Sequence, residues 1–263
     1  MPKTRLDALL VERGLFQTRS RAAAAVLAGT VRIGDDGRRA DKPGQLVAGE
    51  VPLAVDAPPP FVSRGGVKLA NALDRLGLDP EGRRCLDVGA STGGFTDCLL
   101  KRGASHVVAL DVGYGELDWG LRNDPRVTVI ERTNARGIEP RILPYRPDLM
   151  VVDVSFISLL KVLPAVLASA APTFDCVALI KPQFEVGKER VGKGGVVRSA
   201  DDRREALVSV AAAMVAEGWP VLGMASSELP GPAGNRETFV WLAEAERDGG
   251  LDDLAAAAAE VEP

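Results

Sequence analysis

The stretch from Arg84 to Leu100 reads Arg84-Cys85-Leu86-Asp87-Val88-Gly89-Ala90-Ser91-Thr92-Gly93-Gly94-Phe95-Thr96-Asp97-Cys98-Leu99-Leu100. It limits what the chain can fold into more than any other segment does. Its first residues form a short apolar run with the length of a buried strand, a glycine-rich turn follows, and a helix is expected from about Phe95. Gly89, Gly93 and Gly94 carry no Cβ, so backbone at this turn can approach a ligand closely. The pattern is not the G-x-G-x-x-G of dinucleotide enzymes: an acid, Asp87, opens it and the glycines stand two, six and seven positions later. A second apolar run begins at Ser105-His106-Val107 and ends in an acid, Asp111, 24 positions beyond Asp87. An acid about 20 positions past such a loop is placed to accept hydrogen bonds from the ribose hydroxyls of an adenosine cofactor. Together the two segments point to a nucleoside cofactor, NAD or S-adenosylmethionine, without choosing between them. His106, the one histidine, reads as a surface residue at a strand start.

Similar segments alternate along the rest of the chain. Helices are expected over 67–76, 95–102, 159–170 and 201–217, and strands over 84–89, 106–111, 148–153 and 175–180 and near 127–130, 220–226 and 237–243. Alternating strands and helices predict an α/β fold with a doubly wound, mainly parallel sheet, helices on both faces and ligands at the carboxyl ends of the strands. The order of acid and glycines from Asp87 to Phe95 resembles the first motif of S-adenosylmethionine (SAM) methyltransferases. That resemblance makes S-adenosyl-L-methionine the expected cofactor and the fold Rossmann-like. The cofactor-binding candidates are Asp87, Gly89, Ser91, Thr92, Gly93, Gly94, Phe95 and Asp111, with Asn134 and Ala135 bordering the adenine.

A break at Asp56-Ala57-Pro58-Pro59-Pro60 divides the chain, because consecutive prolines continue neither a helix nor a central strand. The expected division is a small unit over 1–58, a linker over 59–66 and the α/β domain over 67–263. In the small unit Thr4 is a candidate cap for a helix carrying Leu6, Leu9 and Leu10. Thr18 or Ser20 is a candidate cap for a second helix that ends at Gly29. Val31-Arg32-Ile33 and Val51 to Val55 read as short strands.

Net charge is −4 overall, yet residues 1–68 carry +4 (11 Lys and Arg against 7 Asp and Glu), leaving −8 for the remainder. That asymmetry says more about partners than the sum does. Arg19 and Arg21 at a helix start are placed to meet phosphates. Arg5-Leu6-Asp7, Ser20-Arg21-Ala22 and Leu27-Ala28-Gly29-Thr30-Val31 are similar to the ribosomal S-four-type RNA-binding module, which implies docking on structured RNA. Arg5, Arg19, Arg21 and Arg64 are the RNA-binding candidates. The alanine-rich tail, Ala255 to Ala259 with its neighbouring acids, reads as a solvated helix or frayed end. No apolar run of membrane-spanning length and no signal-peptide pattern is found, so a cytoplasmic location is expected. Cys85, Cys98 and Cys176 lie in apolar runs without a C-x-x-C pair, which predicts buried thiols rather than a disulfide or a metal site.

Four charged residues carry the expected chemistry. Asp153 ends the apolar run Leu149-Met150-Val151-Val152, and Lys181 ends Cys176-Val177-Ala178-Leu179-Ile180. Both therefore project from the sheet edge that carries Asp87 and Asp111. Lys68 follows Arg64-Gly65-Gly66, and Glu237 opens a strand after a turn-rich segment. Two lysines and two acids so placed suit attack by a ribose 2′-hydroxyl on a methyl group, which requires loss of the hydroxyl proton. A lysine serves as base when burial or a second cation lowers its pKa from about 10.4, and acids orient the ammonium groups.

Ser63-Arg64-Gly65-Gly66-Val67-Lys68-Leu69, Asp87 to Phe95, Val152-Asp153-Val154-Ser155-Phe156-Ile157-Ser158, Lys181-Pro182-Gln183-Phe184-Glu185 and Gly231 to Glu237 together resemble the TlyA, or haemolysin A, family. Its members are FtsJ-like ribosomal RNA methyltransferases, and the likeness runs over essentially the whole chain. It implies SAM-dependent 2′-O-methylation of cytidine in ribosomal RNA of one or both subunits; the cysteine pattern already argues against a metal. The resemblance also implies a Lys-Asp-Lys-Glu tetrad of Lys68, Asp153, Lys181 and Glu237 with Lys181 as base, and a link to capreomycin sensitivity.

Base methylation fits less well. Asp153-Val154-Ser155-Phe156 departs from the Asn/Asp-Pro-Pro-aromatic run of amino methyltransferases, and no cysteine follows a strand end to attack a pyrimidine ring. A non-enzymatic haemolysin lacks its membrane segment here, and an NAD enzyme its loop spacing. Phe156 and Phe184 are candidates either for stacking on a flipped nucleotide or for core packing. The basic loop Gly187 to Gly195 is a candidate RNA cover or a plain connection.

Overall fold

The computed structural model describes residues 3–27, 29–57 and 59–262. Ala28 of the S-four-type match, Pro58 of the proline run and Pro263 of the tail lie outside the described residues. The chain forms two compact units, Met1–Pro59 and Pro60–Pro263.

In the first unit the elements are β1 (Lys3–Arg5), α1 (Leu6–Glu12), α2 (Arg19–Leu27), β2 (Val31–Ile33), β3 (Arg38–Arg39), β4 (Leu46–Ala48) and β5 (Leu53–Val55). Thr4 does not cap a helix as expected. It lies within β1, paired antiparallel with β4, and α1 begins at Leu6 with no side-chain cap on its first turn. The pairing satisfies this backbone instead, and it joins two strands too short to show periodicity in the sequence. Thr18 does cap α2, its hydroxyl accepting from the Arg21 amide at 3.3 Å. Leu6, Leu9 and Leu10 of α1 pack on Val26, Val31 and Ile33 in a core of the unit's own.

The second unit contains α3 (Arg64–Leu76), β6 (Arg84–Val88), α4 (Gly94–Lys101), β7 (His106–Leu110), α5 (Trp119–Arg122), β8 (Val127–Ile130), β9 (Leu149–Val152), α6 (Leu163–Ala168), β10 (Asp175–Ile180), α7 (Pro182–Glu185), α8 (Ala200–Ala216), β11 (Val221–Ser226), β12 (Thr238–Ala243) and α9 (Leu254–Val261). Helix α3 starts at Arg64, so residues 64–66, expected in the linker, form its first turn. The seven strands run β11-β12-β10-β9-β6-β7-β8. The five from β10 to β8 are parallel, and β12 is antiparallel to both of its neighbours. The mainly parallel, doubly wound sheet expected from the alternation is therefore present.

Strand periodicity sorts the side chains onto the two faces. Leu86, Val88, Met150, Val152, Ala178 and Ile180 pack on one face against α6, α8 and α9. Cys85, Val107, Val151, Val177, Leu179 and Phe239 pack on the other, against α3 and α4. Both faces are covered, which is why these strands read as continuous apolar runs rather than alternating ones. All three cysteines are buried and unpaired. Of the two expectations for the tail, fraying is excluded: α9 is a helix with most of its alanines exposed, yet Ala258 is wholly buried and the Glu262 carboxylate pairs with Arg203 at 2.6 Å. Ala258 suits close packing, since a small side chain lets a helix approach the core.

Candidate active site

Asp153, Lys181 and Glu237 occupy successive strand ends, and the strand period puts each on the face of Val151, Leu179 and Phe239. That face is covered by α3, which carries Lys68. Glu237 immediately precedes Thr238, the residue paired with Ile180, so the antiparallel register brings it to the end of β10 beside Lys181. Two acid–lysine pairs result. Lys68 Nζ donates to Glu237 Oε2 at 2.5 Å, with both residues buried. Lys181 Nζ lies 2.5 Å from Asp153 Oδ1 as an ion pair whose angles fall outside hydrogen-bond geometry, and it donates to Ser155 Oγ at 2.8 Å. All four charged residues line one cleft of about 450 Å3, together with Arg64, Gly89, Ser91, Thr92, Gly94 and Phe95.

A second cavity of about 470 Å3 lies beyond the glycine turn, bounded by Gly89, Ser91, Asp111, Glu116, Asn134, Ala135 and Ile157. Gly89, Ser91 and Asp153 border both cavities. Gly89 has φ +86°, and a Cβ there would collide with the Asp153 carbonyl. Only glycine therefore lets the turn pass between β6 and β9. Asp111 Oδ2 accepts from the Ser91 amide and Oδ1 from the Gly113 amide, both at 2.7 Å, which fixes the carboxylate at the cavity wall. An acid held by backbone donors, a glycine cradle and apolar walls at Ala135 and Ile157 fit an adenosine moiety.

Two cofactor candidates stand apart from these cavities. Asp87 is wholly buried inside β6, where Oδ2 accepts from Thr96 Oγ1 at 2.7 Å and Oδ1 has no partner. Burial pushes its carboxyl up to about 7, against the pull of the Thr96 hydrogen bond and with a further push from the Asp153 charge. Asp87 therefore braces α4 against the strand. Gly93, at φ +94°, turns the chain into α4 against Leu117 and Leu121.

In the first unit Arg5 and Arg19 both reach Asp7, at 2.8 and 3.3 Å, and Arg5 foremost holds its carboxyl down at about 2. Arg21 donates to Gln17, and Arg64, in the cleft wall, donates to the Pro230 carbonyl at 2.5 Å.

Several residues in or beside the cavity walls are not singled out as site residues by the sequence. Glu116 accepts from Ser91 Oγ at 3.2 Å. Ser155 contacts Lys181, and the half-buried Glu185 accepts from Ser158 Oγ at 2.6 Å and the Leu159 amide at 2.9 Å. Phe156 is 92% exposed at φ +65°, its ring 5.4 Å from Phe184 beside Arg136 and Lys161, so core packing is excluded for it. Among the described residues no group of three His, Cys, Asp or Glu is placed to hold a metal ion, and no helix is long and apolar enough to cross a membrane.

Residues 61–244 match the FtsJ-like methyltransferase family and residues 4–51 the S4 domain. The chain is 53% identical over 242 residues to the 16S/23S rRNA (cytidine-2′-O)-methyltransferase TlyA of Mycobacterium tuberculosis, covering 91% of this chain and 90% of that protein. It is 38% identical to Hemolysin A of Brachyspira hyodysenteriae, covering 89% and 97%. Among solved structures, a protein described as a hemolysin of Streptococcus thermophilus superposes with a TM-score of 0.74 at 39% identity, covering 99% of this chain and 96% of that one. A SAM-dependent methyltransferase of Mesorhizobium loti, at a TM-score of 0.51 and 15% identity, shares the fold alone. With a family match over more than half its length and close relatives over nearly all of it, the chain belongs to the TlyA family of FtsJ-like methyltransferases.

Proposed function

We propose that the protein transfers a methyl group from S-adenosylmethionine to the 2′-hydroxyl of a cytidine ribose in ribosomal RNA. The observation that carries this reading is the pair of lysine–acid contacts lining one cleft that meets the nucleoside cavity at Gly89, Ser91 and Asp153. The cofactor, when bound, supplies an electrophilic methyl group. Asp111 would hold the ribose hydroxyls of that cofactor, and the turn from Gly89 to Phe95 its amino-acid end. Lys181 Nζ takes the proton of the attacking hydroxyl, and the adjacent Asp153 carboxylate balances the ammonium that forms. Lys68, pinned by Glu237 in the same cleft, is the second cation there and serves to position that hydroxyl. Arg5, Arg19 and Arg21 in the first unit contact RNA phosphates, and Arg64 contacts RNA at the cleft. The exposed ring of Phe156 offers a face for a splayed base.

The test is single-turnover methylation of ribosomal RNA with a labelled methyl donor, beside calorimetry of donor binding. Lys181→Ala is expected to abolish transfer while donor affinity stays near that of the unaltered protein. Full 2′-O-methylation by that variant would remove Lys181 as the base. Relatives named hemolysins raise a second reading, and purified protein that lysed red cells without ever binding the donor would overturn the enzymatic one.

A further inference from the structure

We propose that Ser155 is a positioning residue for Lys181, directing the lone pair of its neutral amine into the cleft; the inference rests on Lys181 being the base. An ammonium group has three N–H directions, and a neutral amine has two hydrogens and one lone pair. Among the described residues Lys181 Nζ meets two polar side chains, Asp153 at 2.5 Å and Ser155 Oγ at 2.8 Å. Both belong to the connection that leaves β9, but the Asp153 contact is an ion pair outside hydrogen-bond geometry, so Ser155 Oγ is the side-chain acceptor that fixes the rotation of the amine of Lys181, which lines the cleft. With Asp153 alone, the amine can turn about its Cε–Nζ bond and spread its lone pair over directions that face no substrate.

The segment is braced well enough to act as such a guide. The Asp153 amide donates to the Val88 carbonyl at 2.8 Å, which fixes its start on β6. At its far end Glu185 of α7 accepts from Ser158 Oγ and the Leu159 amide, tying the segment to the short helix that directly follows Lys181. Between these anchors Phe156 holds φ +65°, a conformation that costs a bulky residue energy and persists only where its surroundings enforce it. Ser155 thus sits on a connection anchored to the same two strand ends that carry Asp153 and Lys181.

Ser155 is exposed, so Ser155→Ala leaves the core intact and its effect can be read without unfolding. At saturating donor and RNA, Ser155→Ala should lower the single-turnover rate about fivefold, the loss expected for one hydrogen bond to a neutral amine. KM for RNA and affinity for the donor should be unchanged, and Ser155→Thr, which keeps the hydroxyl, should recover most of the rate. An unaltered rate in Ser155→Ala overturns the proposal, as does a Ser155→Thr variant no faster than it. Because Ser155 also borders the nucleoside cavity, a defect confined to donor affinity would make it a cofactor contact and overturn the proposal too. Lys181→Ala measured in parallel separates the failures. If that variant is dead while Ser155→Ala is fully active, only the positioning role falls; if Lys181→Ala is active, both fall.

Discussion

At the scale of single residues the site is built from charges that strand periodicity aims in one direction. Asp153 and Lys181 stand out in the sequence because each is the first charge after an unbroken apolar run, and a buried strand that ends in a charge must end at a sheet edge. Lys68 and Glu237 carry no such mark. Each is one charge among many in polar surroundings, and their 2.5 Å contact spans 169 positions of chain. Asp87 shows the converse. Its place at the head of the glycine motif makes it look like a ligand contact, yet the strand period turns it inward onto Thr96. A carboxyl whose folded pKa is raised to about 7 binds more protons than the unfolded chain between the ordinary carboxylate range and that value. Stability should therefore fall as pH rises from about 4 through about 7. Asp87→Asn keeps an oxygen for Thr96 and removes the charge, so chemical denaturation of this variant should lack that decline. An equal decline in both proteins would show that Asp87 is ionised throughout.

Among the elements, α9 carries more of the structure than its composition suggests. Glu262, just past its end, is nearly fully buried against Arg203 of α8, and it also meets Arg236, the neighbour of Glu237. Arg236 is largely exposed and adds little, whereas Arg203, only 11% exposed, would keep the Val197 and Arg198 carbonyls but lose its counter-charge. Glu262→Ala should cost about 3 kcal/mol by urea denaturation, the scale set by breaking one partner of a buried ion pair. A loss below about 1 kcal/mol would mean that Arg203 finds water when its partner goes. The tail reads as solvated because an alanine run lacks the amphipathic stripe by which a packed helix is recognised. Helices α5 and α7, of four residues each, are too short to show any period, and β1 and β4 pair with one another rather than along a readable pattern. Longer strands were legible to within a residue or two, since covering both faces requires the unbroken apolar runs that mark them.

For the whole molecule, the small unit has its own core of Leu6, Leu9, Leu10, Val26 and Val31, and the unit that carries both cavities has two further clusters. Deletion of residues 1–58 should therefore leave donor binding by calorimetry close to that of the full chain. Affinity for ribosomal RNA should fall, along with its salt dependence, because the arginines proposed to meet phosphates go with that unit. Undiminished RNA affinity in the deletion variant would remove the docking role of the first unit. The sequence by itself determined the class of fold, the glycine turn with its following acid, and the family, since these rest on local patterns of apolar runs, glycines and spacing that need no distant partner. Tertiary structure alone decided which polar groups meet: Lys68 with Glu237, Lys181 with Asp153 and Ser155, and Glu262 with Arg203. Pairings of that kind depend on strand order and register, which bring together residues separated by up to 169 positions, and no local pattern records which strand lies beside which.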